Sequence, residues 1–195
     1  SEQKIPTVMI GILNWNQKSD TLECFESIAK VKSPKVQVVV VDNGSTDNPA
    51  SAIRREYPTT VVIENSSNHG CAGGRNDLLA YFLKTPRDYL LFFDNDAQIL
   101  PDTLEHLVRE INQSPNIGVI GFKAYYKNRP NVFWSRGGGF LNPREKGCFD
   151  KTGNKELDQG QYSLSADIDS VQGGFTFLRR AVAEKIPQMD ERYFI

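Results

Sequence analysis

Asp94-Asn95-Asp96 closes the apolar run Tyr89-Leu90-Leu91-Phe92-Phe93. Two carboxylates at i and i+2, immediately past a buried strand, can share a hard divalent cation that keeps open positions for phosphate oxygens. Neither could be buried cheaply without such a partner or several hydrogen bonds. The local alternative is an acidic turn capping the next helix, where Asp and Asn are common. Asp42 ends a second apolar run, Val36 to Val41, and is followed by Asn43-Gly44-Ser45-Thr46-Asp47. At a sheet edge its carboxylate could accept a hydrogen bond from a nucleobase N–H. The same residues suit an Asx-type turn, and the two readings are compatible. Between them lies Asn68-His69-Gly70-Cys71-Ala72-Gly73-Gly74-Arg75-Asn76. Its glycines and arginine would let backbone and a guanidinium approach a negatively charged group at a helix start. The alternative is a flexible loop with an ordinary surface arginine. The segment is not G-x-G-x-x-G, so a dinucleotide site has little support.

Other reactive residue types form no constellation. His69 and His106 are far apart and lack a third ligand at metal spacing, and His106 falls between the inward positions of its helix. Cys71 has no neighbouring base that would make it a nucleophile. Trp15 and Trp134 could each stack on a sugar or a base, or simply pack.

The elements that must hold these groups alternate. Val8 to Leu13, Val36 to Val41, Thr60 to Ile63, Tyr89 to Phe93 and Ile117 to Gly121 read as strands. Helices are expected after Asp20 (Leu22, Phe25, Ile28, Ala29, Val31), over Pro49 to Glu56, over Gly73 to Leu83, and from Pro101, where Leu104, Leu107, Val108 and Ile111 recur at i, i+3, i+4 and i+7. Near-continuous apolar strands alternating with helices imply an α/β fold, an open and mostly parallel sheet with helices on both faces. Ligands in such sheets bind beyond the carboxyl ends of the strands, where Asn14-Trp15-Asn16, Asp42-Asn43, Asn65 to Asn76 and Asp94-Asn95-Asp96 all fall. From Phe122 to about Ser170 the alternation stops. Glycines (Gly137-Gly138-Gly139) and charges (Arg144-Glu145-Lys146) predict an insertion of loops and antiparallel strands. Val171 to Leu178 reads as a returning strand and Arg180 to Ile186 as a short helix.

Composition narrows the class. The chain has 195 residues, with 23 Lys and Arg against 24 Asp and Glu, so its formal charge is −1. That near-neutrality argues against a nucleic-acid or anionic-membrane surface. One domain is expected at this length. Three scattered cysteines, Cys24, Cys71 and Cys148, fit neither a disulfide framework nor a zinc site and suggest a reducing, cytoplasmic setting. No signal peptide or run of about 18 apolar residues is present, so the protein is expected to be soluble, with peripheral membrane association open to it.

Taken together, the segments resemble family 2 glycosyltransferases of the GT-A fold, especially a bacterial rhamnosyltransferase-like branch. The resemblance is carried by V-M-I-G-I-L-N-W-N at 8–16, V-V-V-V-D-N-G-S-T-D-N at 38–48, N-H-G-C-A-G-G-R-N at 68–76, F-F-D-N-D-A at 92–97, V-Q-G-G-F-T-F-L-R-R at 171–180 and M-D-E-R-Y-F-I at 189–195. It implies inverting transfer of a sugar from a nucleoside diphosphate donor, of the UDP or dTDP type, to a saccharide or lipid-linked acceptor, with Mn²⁺ or Mg²⁺ bound. It further implies one GT-A domain with a nucleotide-binding half, 1–121, and an acceptor-side half, 122–195. The nucleotide set would be Asn14, Asp42, Asn43, Gly70, Arg75, Asn76, Asp94 and Asn95. Asp96 would be the principal metal ligand, with Asp94 near the ribose or metal, and Gly173, Gly174 and Phe175 would lie under the donor sugar and acceptor. The general base is expected in a Glu-Asp pair after D-E-R-Y-F-I, beyond Ile195; neither Asp190 nor Glu191 takes that role, and the chain is expected to stop short.

Two rivals bear on the same residues. A haloacid dehalogenase-type phosphohydrolase would use Asp94 as nucleophile and Asp96 as acid. Its motif, however, normally continues with Thr or Val two residues after the second Asp, and sits on the first strand; here Ala97-Gln98 follows, on the fourth. A non-catalytic nucleotide-sugar-binding domain would use the same fold without turnover.

Overall fold

The computed structural model describes residues 5–32, 35–141 and 153–194. Cys148 and Arg144-Glu145-Lys146 lie outside the described residues. In chain order the elements are β1 (Thr7–Asn14), α1 (Lys18–Ile28), β2 (Lys35–Asp42), α2 (Pro49–Glu56), β3 (Val61–Glu64), α3 (Gly70–Leu83), β4 (Tyr89–Asp94) and α4 (Thr103–Ile111). They continue with β5 (Val119–Gly121), β6 (Ala124–Tyr126), β7 (Arg129–Ser135), β8 (Gly138–Gly139), β9 (Ser170–Val171), β10 (Phe175–Arg179) and α5 (Arg180–Lys185). Six strands form one sheet in the order β3-β2-β1-β4-β10-β5. β1 runs parallel to both β2 and β4, and β2 runs parallel to β3. The mostly parallel α/β architecture expected from the apolar runs is present.

The chain forms two compact units, residues 1–119 with 177–195, and residues 120–176.

In the first unit strand alternation sorts the core. Met9, Val39, Val41, Leu90, Phe92 and Leu178 point to one face and pack with Leu78, Leu79 and Phe82 of α3 and Ala183 of α5. The intervening residues face the other way. There Tyr89 stacks on Phe177 at 5.2 Å, and its hydroxyl donates to Asn112 Oδ1, just past α4, at 2.8 Å. α3 lies flush on the sheet because it is glycine-rich: a Cβ on Gly74 would come within 2.2 Å of Leu13 Cδ1.

Two adjacent arginines fasten helix ends. Arg179 donates to the carbonyls of Ile111 (2.5 Å), Ser114 (3.3 Å) and Ile117 (3.2 Å), at and beyond the C-terminus of α4. Arg180 donates to the carbonyls of Phe82 (3.0 Å), Thr85 and Arg87 (2.7 Å), at and beyond the C-terminus of α3. Last-turn carbonyls have no intrahelical partner and carry the negative pole of the helix, so a guanidinium there satisfies both needs. Neither role is visible in the sequence alone.

The second unit holds the expected antiparallel pieces. β6 pairs with β7 and β8 with β9. The returning strand predicted over Val171 to Leu178 is split into β9 and β10 by a turn in which the N–H of Phe175 donates to Gln172 O at 3.0 Å.

Candidate functional site

The carboxyl ends of β1, β2 and β4 are level. Asn14 pairs in register with Asp42, and Leu13 with Asp94. β2 and β4 flank β1, so Asp42 and Asp94 stand about 10 Å apart at two inter-strand spacings. Asp42 is buried; its Oδ1 accepts the Ser45 N–H at 3.1 Å in an Asx turn, and its Oδ2 takes no bond from a described residue. Turn and free acceptor thus coexist in one side chain.

Asp94 accepts from Arg75 Nη2 of α3 at 3.2 Å. Burial pushes the Asp94 carboxyl up, the Arg75 guanidinium opposes that shift, and the charge on Asp96 adds to it. Asp96, two residues on, is exposed and makes no hydrogen bond or ion pair with a described residue. One cation therefore faces two neighbouring carboxylates. The donor set suits Mg²⁺ or Mn²⁺, which are commonly held by one or two carboxylates and complete their shell with water and phosphate oxygens. Among the described residues no group of three His, Cys, Asp or Glu could hold a metal. Behind the pair the Cys24 thiol is pushed up to about 12, first by burial and then by Asp96 and Asp94, so it is no nucleophile.

All four asparagines of the expected nucleotide set, Asn14, Asn43, Asn76 and Asn95, have side chains bonded to other parts of the chain. Asn14 is fully buried; its Oδ1 accepts from Thr21 Oγ1 at 2.5 Å and Asn95 Nδ2 at 3.2 Å, and its Nδ2 donates to Ser45 Oγ at 3.1 Å. Asn95 also donates to Thr21 Oγ1 at 3.0 Å. Asn43, 1% exposed, donates to Asn68 Oδ1 (2.8 Å) and Gly70 O (3.1 Å) and accepts from Asn65 Nδ2 (3.1 Å) and His69 N (3.0 Å). An amide offers two donor hydrogens and an oxygen with two lone pairs, so Asn43 has nothing left for a ligand. It braces the 65–70 loop. Asn76 accepts the Met189 N–H at 2.7 Å and donates to Met189 O (3.0 Å) and Glu191 Oε1 (2.8 Å), fastening the C-terminal segment onto α3.

The start of α3 differs from the expected backbone cradle. The helix begins at Gly70, three residues before the predicted start. The Gly70 N–H donates to Asn68 Oδ1 at 2.8 Å and the Cys71 N–H to Phe194 O at 2.7 Å, so both donors are taken by the chain itself. Gly70 has φ +74°, and a Cβ there would stand 2.4 Å from Phe194 O; the glycine is needed for the C-terminal segment to pass. Arg75 remains as this segment's charged contribution. Asp190 ion-pairs with Arg192 at 2.5 Å and Glu191 is held by Asn76.

Trp15 was not assignable from sequence. It is 55% exposed on a loop in which Asn16 and Gln17 both have positive φ, 58° and 56°. Ser45 Oγ accepts the Asn16 N–H at 2.7 Å and Asn16 Oδ1 accepts the Thr46 N–H at 2.9 Å, so the loop is tied to the one after β2. In the second unit Gly173 is exposed, Gly174 is buried and Phe175 is half-buried.

Relatives extend the picture. The chain is 32% identical over 115 residues to an uncharacterized glycosyltransferase of Haemophilus influenzae, covering 57% of this chain and 37% of that protein. The chain spans less than half the length of the curated relatives it matches. Among solved structures, a mannosyltransferase from Pyrobaculum calidifontis in complex with GDP-Man and Mn²⁺ superposes with a TM-score of 0.66 at 20% identity, covering 97% of this chain and 49% of that one. S. aureus TarS 1-349 in complex with UDP gives a TM-score of 0.67 at 19% identity, with 96% and 51% covered. These likenesses support the GT-A fold and lend nothing to the phosphohydrolase alternative. The family model for glycosyl transferase family 2 matches residues 9–186. A match of that extent, over a sheet whose acidic ends stand level, makes this chain a member of glycosyl transferase family 2.

Proposed function

We propose that this domain binds a nucleoside diphosphate sugar together with a divalent cation, and that the protein uses it to transfer the sugar to an acceptor hydroxyl with inversion. The observation that carries the reading is the placement of Asp42 and Asp94 at the carboxyl ends of β2 and β4, the two strands that flank β1, with Asp96 just past β4 and Arg75 of α3 bonded to Asp94. Asp42 Oδ2 would accept the N–H of a uracil or thymine base, and the exposed Trp15 ring would stack beside it. Arg75 would trade part of its bond with Asp94 for an oxygen of the diphosphate. Asp96 and Asp94 would hold Mn²⁺ or Mg²⁺, whose chemistry is Lewis-acid stabilisation of charge on the departing diphosphate. Asn14 and Asn43 would act at one remove, fixing the loops that carry Asp42 and Asn95. Inversion requires the acceptor hydroxyl to attack opposite the diphosphate while a carboxylate takes its proton. Asp190 and Glu191 are already engaged by Arg192 and Asn76, so neither is assigned that base. The GDP-Man, Mn²⁺ and UDP complexes of structural neighbours support the ligand class. The bacterial branch resembled by the motifs supports a role in polysaccharide synthesis in the cytoplasm. Among the described residues no helix is long and apolar enough to cross a membrane.

Calorimetry with UDP and with dTDP, each with and without Mn²⁺, tests the proposal. Binding should require the metal and vanish in Asp96→Ala with the circular dichroism unchanged. Equal affinity in the variant would remove the metal assignment, and no heat from either nucleotide would remove the donor class.

A further inference from the structure

One large side chain in the second unit stands out from its strand. β7 buries Val132, Phe133 and Ser135 yet leaves Trp134 40% exposed. A wet indole forgoes burial of one of the largest apolar surfaces available to a protein. Trp134 is nonetheless held firmly. Its ring meets Phe175 at 5.6 Å and 60°, and Phe175 is itself braced edge-on by Phe122 at 5.7 Å and 86°. Its carbonyl accepts from Asn154 Nδ2 at 2.8 Å. The preceding Phe133 is tied both ways to the facing segment, its N–H to Glu156 O at 2.9 Å and its carbonyl to Lys155 N at 2.8 Å. The contact with Phe175 is not a face-to-face stack, so the indole keeps an open face in a fixed orientation.

Two exposed amides belong to the segments that hold it: Asn154, whose Nδ2 donates to the Trp134 carbonyl, and Gln172, whose carbonyl accepts the Phe175 N–H. An open π-face with amides on the segments around it suits a pyranose. One face of such a ring presents C–H groups of slight positive charge to the negative face of the aromatic quadrupole, while its rim of hydroxyls needs partners that both donate and accept.

We infer that Trp134, buttressed by Phe175 and with the exposed amides of Asn154 and Gln172 on adjoining segments, is a stacking subsite for a pyranose ring of the saccharide acceptor. The inference rests on the glycosyltransferase reading, which calls for an acceptor sugar as well as a donor. The chain has two tryptophans, so its indole Nε1–H spectrum holds two signals, one for Trp134 and one for Trp15, separable with Trp134→Phe. The full chain is titrated with methyl glycosides of glucose, N-acetylglucosamine, mannose and rhamnose, with anionic phospholipid vesicles, and separately with UDP plus Mn²⁺. At least one glycoside should shift the Trp134 signal saturably. Trp134→Ala should weaken that glycoside about tenfold or more. Gln172→Ala, on an exposed turn, should weaken it about threefold and carries the test if the first variant does not fold. The inference is overturned if no glycoside moves the Trp134 signal at about 50 mM, if vesicles alone move it, if only an intact nucleotide sugar does so, or if the variants bind the glycoside unchanged. Failure of the underlying reading looks different: UDP with Mn²⁺ then produces no shift at Trp15 and no rise in the thermal midpoint.

Discussion

Replacing Asn43 with Ala separates a brace from a ligand contact. Four hydrogen bonds end on this buried amide. Two of its partners keep another bond after truncation, because Asn68 Oδ1 still accepts from Gly70 N and Asn65 Nδ2 still donates to Asp77 Oδ2. The His69 N–H is left without the partner it had, while the Gly70 carbonyl, at the first position of α3, keeps its intrahelical partner. A buried polar group stripped of its partner costs about 1–3 kcal/mol, so the substitution should cost about 2 kcal/mol. With a urea m-value of about 2 kcal/mol/M the midpoint should fall by about 1 M at unchanged slope. The assay is equilibrium urea unfolding of both proteins without nucleotide, with hydrogen exchange followed at residues 65–71. Protection in that loop should drop before any ligand is added. A variant within about 0.5 kcal/mol of the parent, the range of ordinary surface substitutions, that nonetheless loses nucleotide affinity would refute the reasoning and return Asn43 to the ligand.

Gly70→Ala forces a side chain into a left-handed residue and against Phe194 O; it should cost about 1–2 kcal/mol for the backbone alone and release the 189–194 segment, seen as faster exchange of the Cys71 amide. Arg180→Met keeps the aliphatic stem but removes the donors to three carbonyls at and past the end of α3, and should lower stability by about 2–4 kcal/mol in thermal unfolding, with fraying confined first to the last turn of α3. The Tyr125 hydroxyl donates to Asp158 at 2.5 Å, and burial and that bond push its pKa from 10.0 up to about 12. Because the folded value is the higher one, the stability due to the neutral hydroxyl is whole below pH 10 and is lost as the pH rises toward 12; Tyr125→Phe should flatten that limb of the urea midpoint against pH.

The fold was legible wherever apolar residues ran without interruption. Val36 to Val41 and Tyr89 to Phe93 can only be strands buried on both faces, and the turn residues after them mark where polar groups collect. The start of α3 was misread because Gly70, Gly73 and Gly74 look like a loop; packing against Leu13 and Phe194 demands glycine there and overrides its poor helix propensity. The charged residues of the candidate site were visible, since a carboxylate at the end of an apolar run has few explanations. The roles of the asparagines were not. An amide serves a ligand and its own backbone equally well, and only the positions of Thr21, Ser45, Asn68 and Met189 decide which. Arg179 and Arg180 were unreadable for a similar reason, their acceptors being carbonyls from 62 to 98 residues away.

Those two arginines make the first unit hard to take apart in stages. They are neighbours in sequence, yet one grips the helix lying on the Tyr89 side of the sheet and the other the helix lying on the Leu90 side. A fluctuation that lifts either layer must drag the intervening peptide bond and disturb the opposite grip. Loss of one layer should therefore propagate to the other, so that heat or mechanical load melts both in a single cooperative step rather than peeling the domain like a laminate.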